Sequence, residues 1–96
     1  DMPFYCYILE CANGHYYTGW TTDPQRRLEQ HLQGSAAAYT RLNPARRLVY
    51  LEETADMPAA LRREAAIKRL TRQQKSSLIA SPSQNQIASL MEKTDD

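Results

Sequence analysis

Runs of aromatic and β-branched residues mark three strands along the chain. Phe4 to Glu10 and His15 to Thr21 are both rich in such residues, and Asn13-Gly14 stands between them as a turn signal. Leu48 to Glu52 is a third run of the same kind. The pattern predicts a hairpin followed by a third strand, and together these form a small antiparallel sheet.

The length of the hairpin loop decides which side chains share a face of the sheet. A two-residue loop at Asn13-Gly14 pairs Tyr7 with Trp20 and puts Tyr7 and Tyr17 on opposite faces. A three-residue loop, with its glycine in the left-handed conformation, pairs Tyr7 with Gly19 instead. Both tyrosines then lie on one face, and the pattern alone leaves the two registers open.

A helix is predicted directly after the hairpin. Asp23 suits the N-cap, the proline after it suits the first helical position, and Gly34 suits the C-terminal stop. We therefore expect a helix from Pro24 to Gln33. Leu28 and Leu32 are four residues apart and form its predicted core stripe.

Arg27 and His31 lie one position before these two leucines and are also four residues apart. They should therefore lie together at the edge of the buried face of the helix. Polar side chains can be held rigidly at such a boundary.

The segment from Gly34 to Arg47 lacks periodicity and is predicted to be a loop that carries Arg41, Arg46 and Arg47. Loops of this kind often contact a ligand.

Three more helices are predicted after the third strand. The first runs from Pro58 to about Leu70 and carries Glu64. The second begins at Thr71 to Gln74, and a short last one begins at Ser83 to Gln86, because both segments have the spacing of a capping box. The expected class is therefore α+β.

Length and composition indicate one soluble domain. The chain has 96 residues, with 42% hydrophobic and 24% charged, which is ordinary for a folded protein. No apolar run approaches a membrane span, so we expect a cytoplasmic monomer with no membrane partner. Cys6 and Cys11 match no zinc signature and are expected to be reduced. We assign the main domain to residues 1–80 and a short helix and tail to residues 81–96.

The net charge is only +1, but basic residues are unevenly distributed. Nine of the twelve Lys and Arg residues fall between Arg41 and Lys75. A basic face of this kind attracts polyanions such as nucleic acid, and it is about as often plain solvated surface.

Several of these residues together carry a resemblance to a known family. Tyr5-Cys6-Tyr7 and Tyr17-Thr18-Gly19 stand on the two hairpin strands, Arg27 and His31 follow on a helix, and Glu64 lies farther on. This arrangement resembles the GIY-YIG nuclease superfamily, and within it the small stand-alone UPF0213 (YhbQ-like) proteins of bacteria. The resemblance implies a GIY-YIG-like three-stranded antiparallel sheet flanked by helices, in the order ββαβαα with a short extra C-terminal helix. It also favours the register that pairs Tyr7 with Gly19.

The resemblance implies metal-dependent cleavage of DNA phosphodiester bonds by an endonuclease, in DNA repair or processing. Tyr7 or Tyr17 would act as general base, Arg27 would contact phosphate, and His31 would relay a proton. Glu64 would hold Mg²⁺ or Mn²⁺ as a single carboxylate ligand. The strand form of the DNA is left open. Tyr5 and Thr18 depart from the glycine and isoleucine of the family motifs.

Each residue also has a plain structural interpretation. Tyrosines on strands are usually half-buried packing residues, and a helical arginine such as Arg27 is usually exposed. His31 would be a hydrogen-bonded residue at the helix edge. Glu64 would form a weak surface ion pair with Lys68, four residues on.

Two functions compete on this evidence, and a protein-interaction domain is a third possibility. The first is a DNA endonuclease, and the second is a nucleic-acid-binding module with little catalysis of its own. Both use the same basic surface. The residues expected to contact nucleic acid are Arg41, Arg46, Arg47, Lys68, Arg69, Arg72 and Lys75.

Overall fold

In the computed structural model, which describes residues 2–92, three strands and five helices follow one another along the chain. In chain order they are β1 (Phe4–Cys11), β2 (Tyr16–Thr21), α1 (Pro24–Leu32), α2 (Ala38–Leu42), β3 (Ala45–Thr54), α3 (Met57–Lys68), α4 (Arg72–Ile79) and α5 (Ile87–Glu92). The predicted α+β class is confirmed, with α2 as an unpredicted addition. The end of the predicted tail, residues 93–96, lies outside the described residues. No helix in the described part of the chain is long and apolar enough to cross a membrane.

The strands form an antiparallel sheet in the order β2-β1-β3. Tyr7 pairs with Gly19, and Leu9 pairs with Tyr17, so the three-residue loop is confirmed. Gly14 has a φ of 84°, in the left-handed region that glycine adopts without strain. Tyr7 and Tyr17 therefore share one face of the sheet.

Each face of the sheet carries its own core. On one face, which we call the α3 face, Cys6, Ile8 and Tyr50 pack with residues of α3 and α4. On the other, the α1 face, Tyr7, Leu9 and the rest of that cluster pack against residues of α1 and α5. Because successive side chains of β1 point to opposite faces, β1 contributes to both cores and is buried on both sides.

Helix α1 is capped as expected but turns a different face inward. The Asp23 carboxylate accepts from Arg26 N, which satisfies a free backbone donor of the first turn. Leu32 was predicted to lie in the core, and this is wrong, because it is 52% exposed. His31 is 1% exposed and takes the inward position in the last turn. A histidine can do so because both of its ring nitrogens find partners there.

The loop predicted from residue 34 to residue 47 is wrong in two places. Ala38–Leu42 forms α2, which carries Arg41, and β3 begins at Ala45, so Arg46 and Arg47 lie on a strand. The reason is pairing, because β1 continues to Cys11 and offers backbone partners to this polar segment. Tertiary pairing here overrides weak strand propensity.

Side chains cap the start of α4 and attach the turn before α5 to the sheet. Thr71 and Gln74 form the predicted capping box at the start of α4. The capping box predicted at Ser83 is wrong, because α5 begins only at Ile87. The Asn85 side chain accepts from Leu51 N and donates to Val49 O, which attaches this turn to the free edge of β3.

Gly19 is a position where any side chain would collide with Tyr7. A Cβ at residue 19 would lie 2.5 Å from Tyr7 Oη and 2.7 Å from Tyr7 Cζ. Tyr7 has no room to move, since it is 3% exposed and its hydroxyl is hydrogen-bonded to His31. The glycine therefore lets the phenol lie across β2.

We expect Gly19→Ala to lower the free energy of unfolding by roughly 1–3 kcal/mol, as overpacking does, and to displace the Tyr7 hydroxyl from His31. Urea unfolding measures the first effect, and NMR of the His31 ring measures the second. Gly14→Ala is the control for the second effect: its positive φ costs stability, but no atom lies near the added methyl group, so the His31 ring signals should stay unchanged. A Gly19→Ala protein with unchanged His31 ring signals would contradict the packing argument.

Candidate active site

Tyr7 and His31 meet on the α1 face of the sheet. Tyr7 Oη lies 2.8 Å from His31 Nε2, and the two rings meet edge to face with their centroids 5.8 Å apart. Both side chains are almost fully buried. In the folded protein the Tyr7 hydroxyl and His31 Nε2 therefore hydrogen-bond to each other instead of to water.

A chain of hydrogen bonds fixes the tautomer of His31. His31 Nδ1 lies 2.7 Å from Thr40 Oγ1, which lies 3.3 Å from the carbonyl oxygen of Ala37. A carbonyl oxygen only accepts, so the Thr40 hydroxyl donates to it and accepts from His31 Nδ1–H. His31 Nε2 is then unprotonated and accepts the hydrogen of the Tyr7 hydroxyl.

Burial keeps both members of the pair neutral. Burial raises the pKa of Tyr7, Tyr17 raises it further, and the positive charge of Arg27 opposes the rise. Burial also lowers the pKa of His31 to about 4, and Arg27 contributes to that decrease. At neutral pH a neutral phenol therefore donates to a neutral imidazole.

Tyr17 also contacts the imidazole of His31. Its ring centroid is 5.0 Å from that of His31, and its ring also stacks on Tyr39 at 6.0 Å with an angle of 19° between planes. Asn13 at the hairpin tip donates to the Tyr39 hydroxyl over 3.4 Å. The hairpin tip and α2 thus hold Tyr17 in place beside His31.

Arg27 lies one turn before His31 on α1 and is half-buried. Its charge affects the pKa of both Tyr7 and His31, so the guanidinium is close to both side chains. Arg27 also lines a recess of about 270 Å³ at the start of α1. It therefore connects the buried pair to an opening at the surface.

Glu64 reaches the same region from α3. Its carboxylate raises the pKa of Tyr7, although burial and Tyr17 matter more. The ion pair with Lys68 that the plain interpretation predicted is present, at 3.5 Å, and the side chain of Glu64 is 19% exposed. Both interpretations of Glu64 are thus compatible with its position.

The seven predicted basic contacts fall into two groups. Lys68, Arg72 and Lys75 line a cleft of about 500 Å³ beside Tyr17. The other four do not line this cleft. Arg41 is on α2, Arg69 is at the end of α3, and Arg46 and Arg47 are on β3, across β1 from β2. Arg47 pairs with Glu10 at 2.8 Å.

Thr40 and Tyr39 belong to this site and were not predicted from the sequence. Both are on α2, in the segment that was expected to be a loop. Thr40 is 1% exposed, an unusual burial for a threonine, and it has the His31 ring as its partner. No periodicity marks the pair in the sequence, because a five-residue helix is too short to show any.

The donor set near Tyr7 suits a hard divalent cation held weakly. Residues 2–92 contain no cluster of three or more metal-ligating side chains. Glu64 is the carboxylate whose charge acts on Tyr7, and Mg²⁺ or Mn²⁺ commonly takes its remaining ligands from water and phosphate. Lys68 would have to release Glu64, and its side chain, at 55% exposed, is free to move. The residues present therefore fit such an ion.

The fold agrees with a family comparison. Residues 3–77 match the family described as the GIY-YIG catalytic domain. The match spans most of the chain and includes both hairpin strands, α1 and Glu64. The molecule thus contains the catalytic domain of a nuclease family.

Individual relatives narrow this assignment. A UPF0213 protein of Streptococcus sanguinis is 47% identical over 84% of this chain and 93% of its own, and one of Halobacterium salinarum is 46% identical over 75% and 94%. The NMR structure of a UPF0213 protein of Bacillus halodurans is 42% identical, with a TM-score of 0.53 over 82% of this chain and 84% of that chain. The chain therefore belongs to the GIY-YIG superfamily and, within it, to the UPF0213 group.

Replacing Thr40 by valine should allow His31 to adopt both of its neutral ring tautomers. Thr40→Val keeps the volume and removes the acceptor for Nδ1–H, so we expect a loss of roughly 1–3 kcal/mol in the free energy of unfolding and a mixture of ring tautomers. Nitrogen chemical shifts of the His31 ring report the tautomer directly. Thr22→Val, in a half-buried residue outside this chain of hydrogen bonds, should leave those shifts unchanged. Identical shifts in both variants would refute the assignment.

The lowered pKa of His31 should make the protein less stable in acid. The unfolded chain takes up a proton near pH 6.5, whereas the folded protein does so only near pH 4. The free energy of unfolding should therefore fall as the pH is lowered through this range, by up to roughly 3 kcal/mol. Urea unfolding between about pH 7.5 and pH 4 measures the slope. His31→Gln should flatten it, and an equal slope in both proteins would contradict the prediction.

Proposed function

We propose that this protein is a DNA endonuclease that hydrolyses phosphodiester bonds with the help of Mg²⁺ or Mn²⁺. The observation that carries the proposal is the directed chain of hydrogen bonds from Tyr7 through His31 to Thr40. Any buried tyrosine needs a hydrogen-bond partner, but here the partner is an imidazole, which can take up a proton. Membership of the GIY-YIG family supports the same reaction class.

Tyr7 is the side chain best placed to activate water. Its hydrogen is directed to His31 Nε2, so in the proposed relay the lone pairs of its oxygen would accept a hydrogen from a water that enters with the substrate. Water gives a proton to the Tyr7 oxygen as the phenolic proton passes to His31, and the hydroxide attacks phosphorus. No free phenolate accumulates in this relay, although the raised pKa of Tyr7 still opposes the transfer.

Arg27 links phosphate binding to the relay. Its positive charge lowers the pKa of His31 in the free protein, after the larger effect of burial. A phosphate bound to Arg27 neutralises much of that charge, so the imidazole becomes a better proton acceptor when substrate is present. The guanidinium also stabilises the negative charge that collects on the pentacovalent phosphate.

Glu64 and Tyr17 complete the proposed site. A divalent cation at Glu64 would neutralise phosphate oxygens and stabilise the departing oxygen. Tyr17 separates the relay from the basic cleft, since it contacts His31 on one side and lines the cleft. It is thus placed to orient the strand that runs from the cleft to the reacting phosphate.

A nucleic-acid-binding module without catalysis is the second candidate, and one observation favours it. Burial raises the pKa of Tyr7 and lowers that of His31, and both shifts oppose proton transfer between them in the free protein. The basic cleft would serve such a module equally well.

Cleavage of labelled DNA decides between the two. With Mg²⁺ or Mn²⁺ the protein should cut DNA, and Tyr7→Phe, Arg27→Ala and Glu64→Gln should each lower the rate by about a hundredfold or more while DNA binding persists. Chelation of the metal should stop cleavage. The assay is best run on single-stranded, duplex and flapped DNA.

Each variant has a matched control on the same element or in the same core. Tyr5→Phe removes a half-buried phenol elsewhere on β1, Arg26→Ala removes the neighbouring exposed arginine of α1, and Glu53→Gln removes an exposed carboxylate of β3. These three should cut at close to the wild-type rate. Binding without cleavage of any DNA form would establish the binding module instead.

A further inference from the structure

The cleft beside Tyr17 has features that the proposed chemistry does not use. One wall is formed by β2 residues, Tyr17 and Thr18 among them, and the other by Lys68, Arg72 and Lys75 of the helices that cover the α3 face. Its volume is about 500 Å³, and no carboxylate is among its lining residues. Three cations facing an uncharged wall suit an anionic ligand.

Thr18 carries a buried hydroxyl that lacks a partner. The residue is 3% exposed, and its Oγ1 is the one buried side-chain polar atom within residues 2–92 that makes no hydrogen bond. A buried hydroxyl without a partner destabilises a fold, so its presence in the wall of a cleft calls for a ligand atom. A phosphate or sugar oxygen of a ligand can supply the missing partner.

The three cations differ in how firmly they are held. The guanidinium of Arg72 lies 4.4 Å from the ring centroid of Tyr16 and donates to the carbonyl oxygen of Gly14, so it is fixed in the wall. Lys68 is shared with Glu64. Lys75 is half-buried and forms no ion pair with any described residue. Lys75 is thus the cation most available to a ligand.

The cleft and the proposed reaction site are adjacent, because Tyr17 belongs to both. A nucleic-acid strand whose phosphate reaches Arg27 would therefore continue into the cleft. The cleft is of a size to hold one nucleotide, and its cations can contact the phosphate of that nucleotide.

We propose that this cleft binds the nucleotide next to the scissile phosphate, with the Thr18 hydroxyl bonded to one of its oxygens and Lys75 contacting its phosphate. The position of this nucleotide, next to the phosphate that is cleaved, rests on the proposed nuclease function. Occupation of the cleft by a nucleotide can be measured without cleavage.

Thr18→Val and Lys75→Gln test the subsite. Valine keeps the shape of threonine and removes the buried hydroxyl, so the variant should melt at a higher temperature and yet bind a short oligonucleotide about tenfold more weakly. Lys75→Gln should weaken binding several-fold and reduce its salt dependence by about one counterion. Arg62→Gln is the matched control, since Arg62 is an exposed cation of α3 outside the cleft, and its binding should change little.

Binding is measured by fluorescence anisotropy with the Glu64→Gln background to prevent cleavage, and by NMR titration with a deoxynucleoside monophosphate. Shifts of the backbone signals of residues 18 and 75 on addition of the monophosphate, smaller at the same concentration in both variants, support the subsite. If Thr18→Val is stabilised and both variants bind like the wild type, the subsite is refuted. Failure of the wild type to cut DNA would overturn the nuclease proposal and leave this binding result to decide the subsite alone.

Discussion

The burial of one imidazole is the constraint on which the α1 face depends. His31 occupies a buried position of the kind that apolar residues usually fill, where α1 meets the sheet. It is tolerated there because Tyr7 and Thr40 satisfy both ring nitrogens. Those two partners come from β1 and α2. One histidine therefore fixes the positions of three elements, and it requires Gly19 on β2, because the phenol that reaches it lies across that residue.

Local signals in the sequence predicted much of the fold. The caps at Asp23 and Thr71 placed the starts of α1 and α4, and the choice between two hairpin registers was correctly tied to whether Tyr7 and Tyr17 share a face. These features depend on a few adjacent residues, so they can be read without knowledge of tertiary contacts. The family resemblance supplied the rest of the site list, and the roles on that list remain proposals.

The errors all occurred where a distant partner decides the outcome. Periodicity predicted that Leu32 is a core residue. His31 is buried instead, because hydrogen bonds from two other elements compensate the cost of burying its ring nitrogens. Arg46 and Arg47 joined a strand because β1 was long enough to pair with them. Thr40 acquired its role from a ring nine residues earlier in the chain. Propensity and periodicity contain no information about such partners.

The two edges of the sheet explain where the site can be. Asn85 and Gln86 bond to the outer backbone of β3, which closes that edge much as a further strand would. Helices cover both faces, so the rim along β2 is where a long polymer can approach the phenols. Residues from both faces converge there, since Tyr17 lies on the α1 face and Thr18 on the α3 face of the same strand. In the proposed nuclease, a site at this edge would combine the buried pair of Tyr7 and His31 with an open, basic approach for a substrate, and neither face of the sheet alone would provide both.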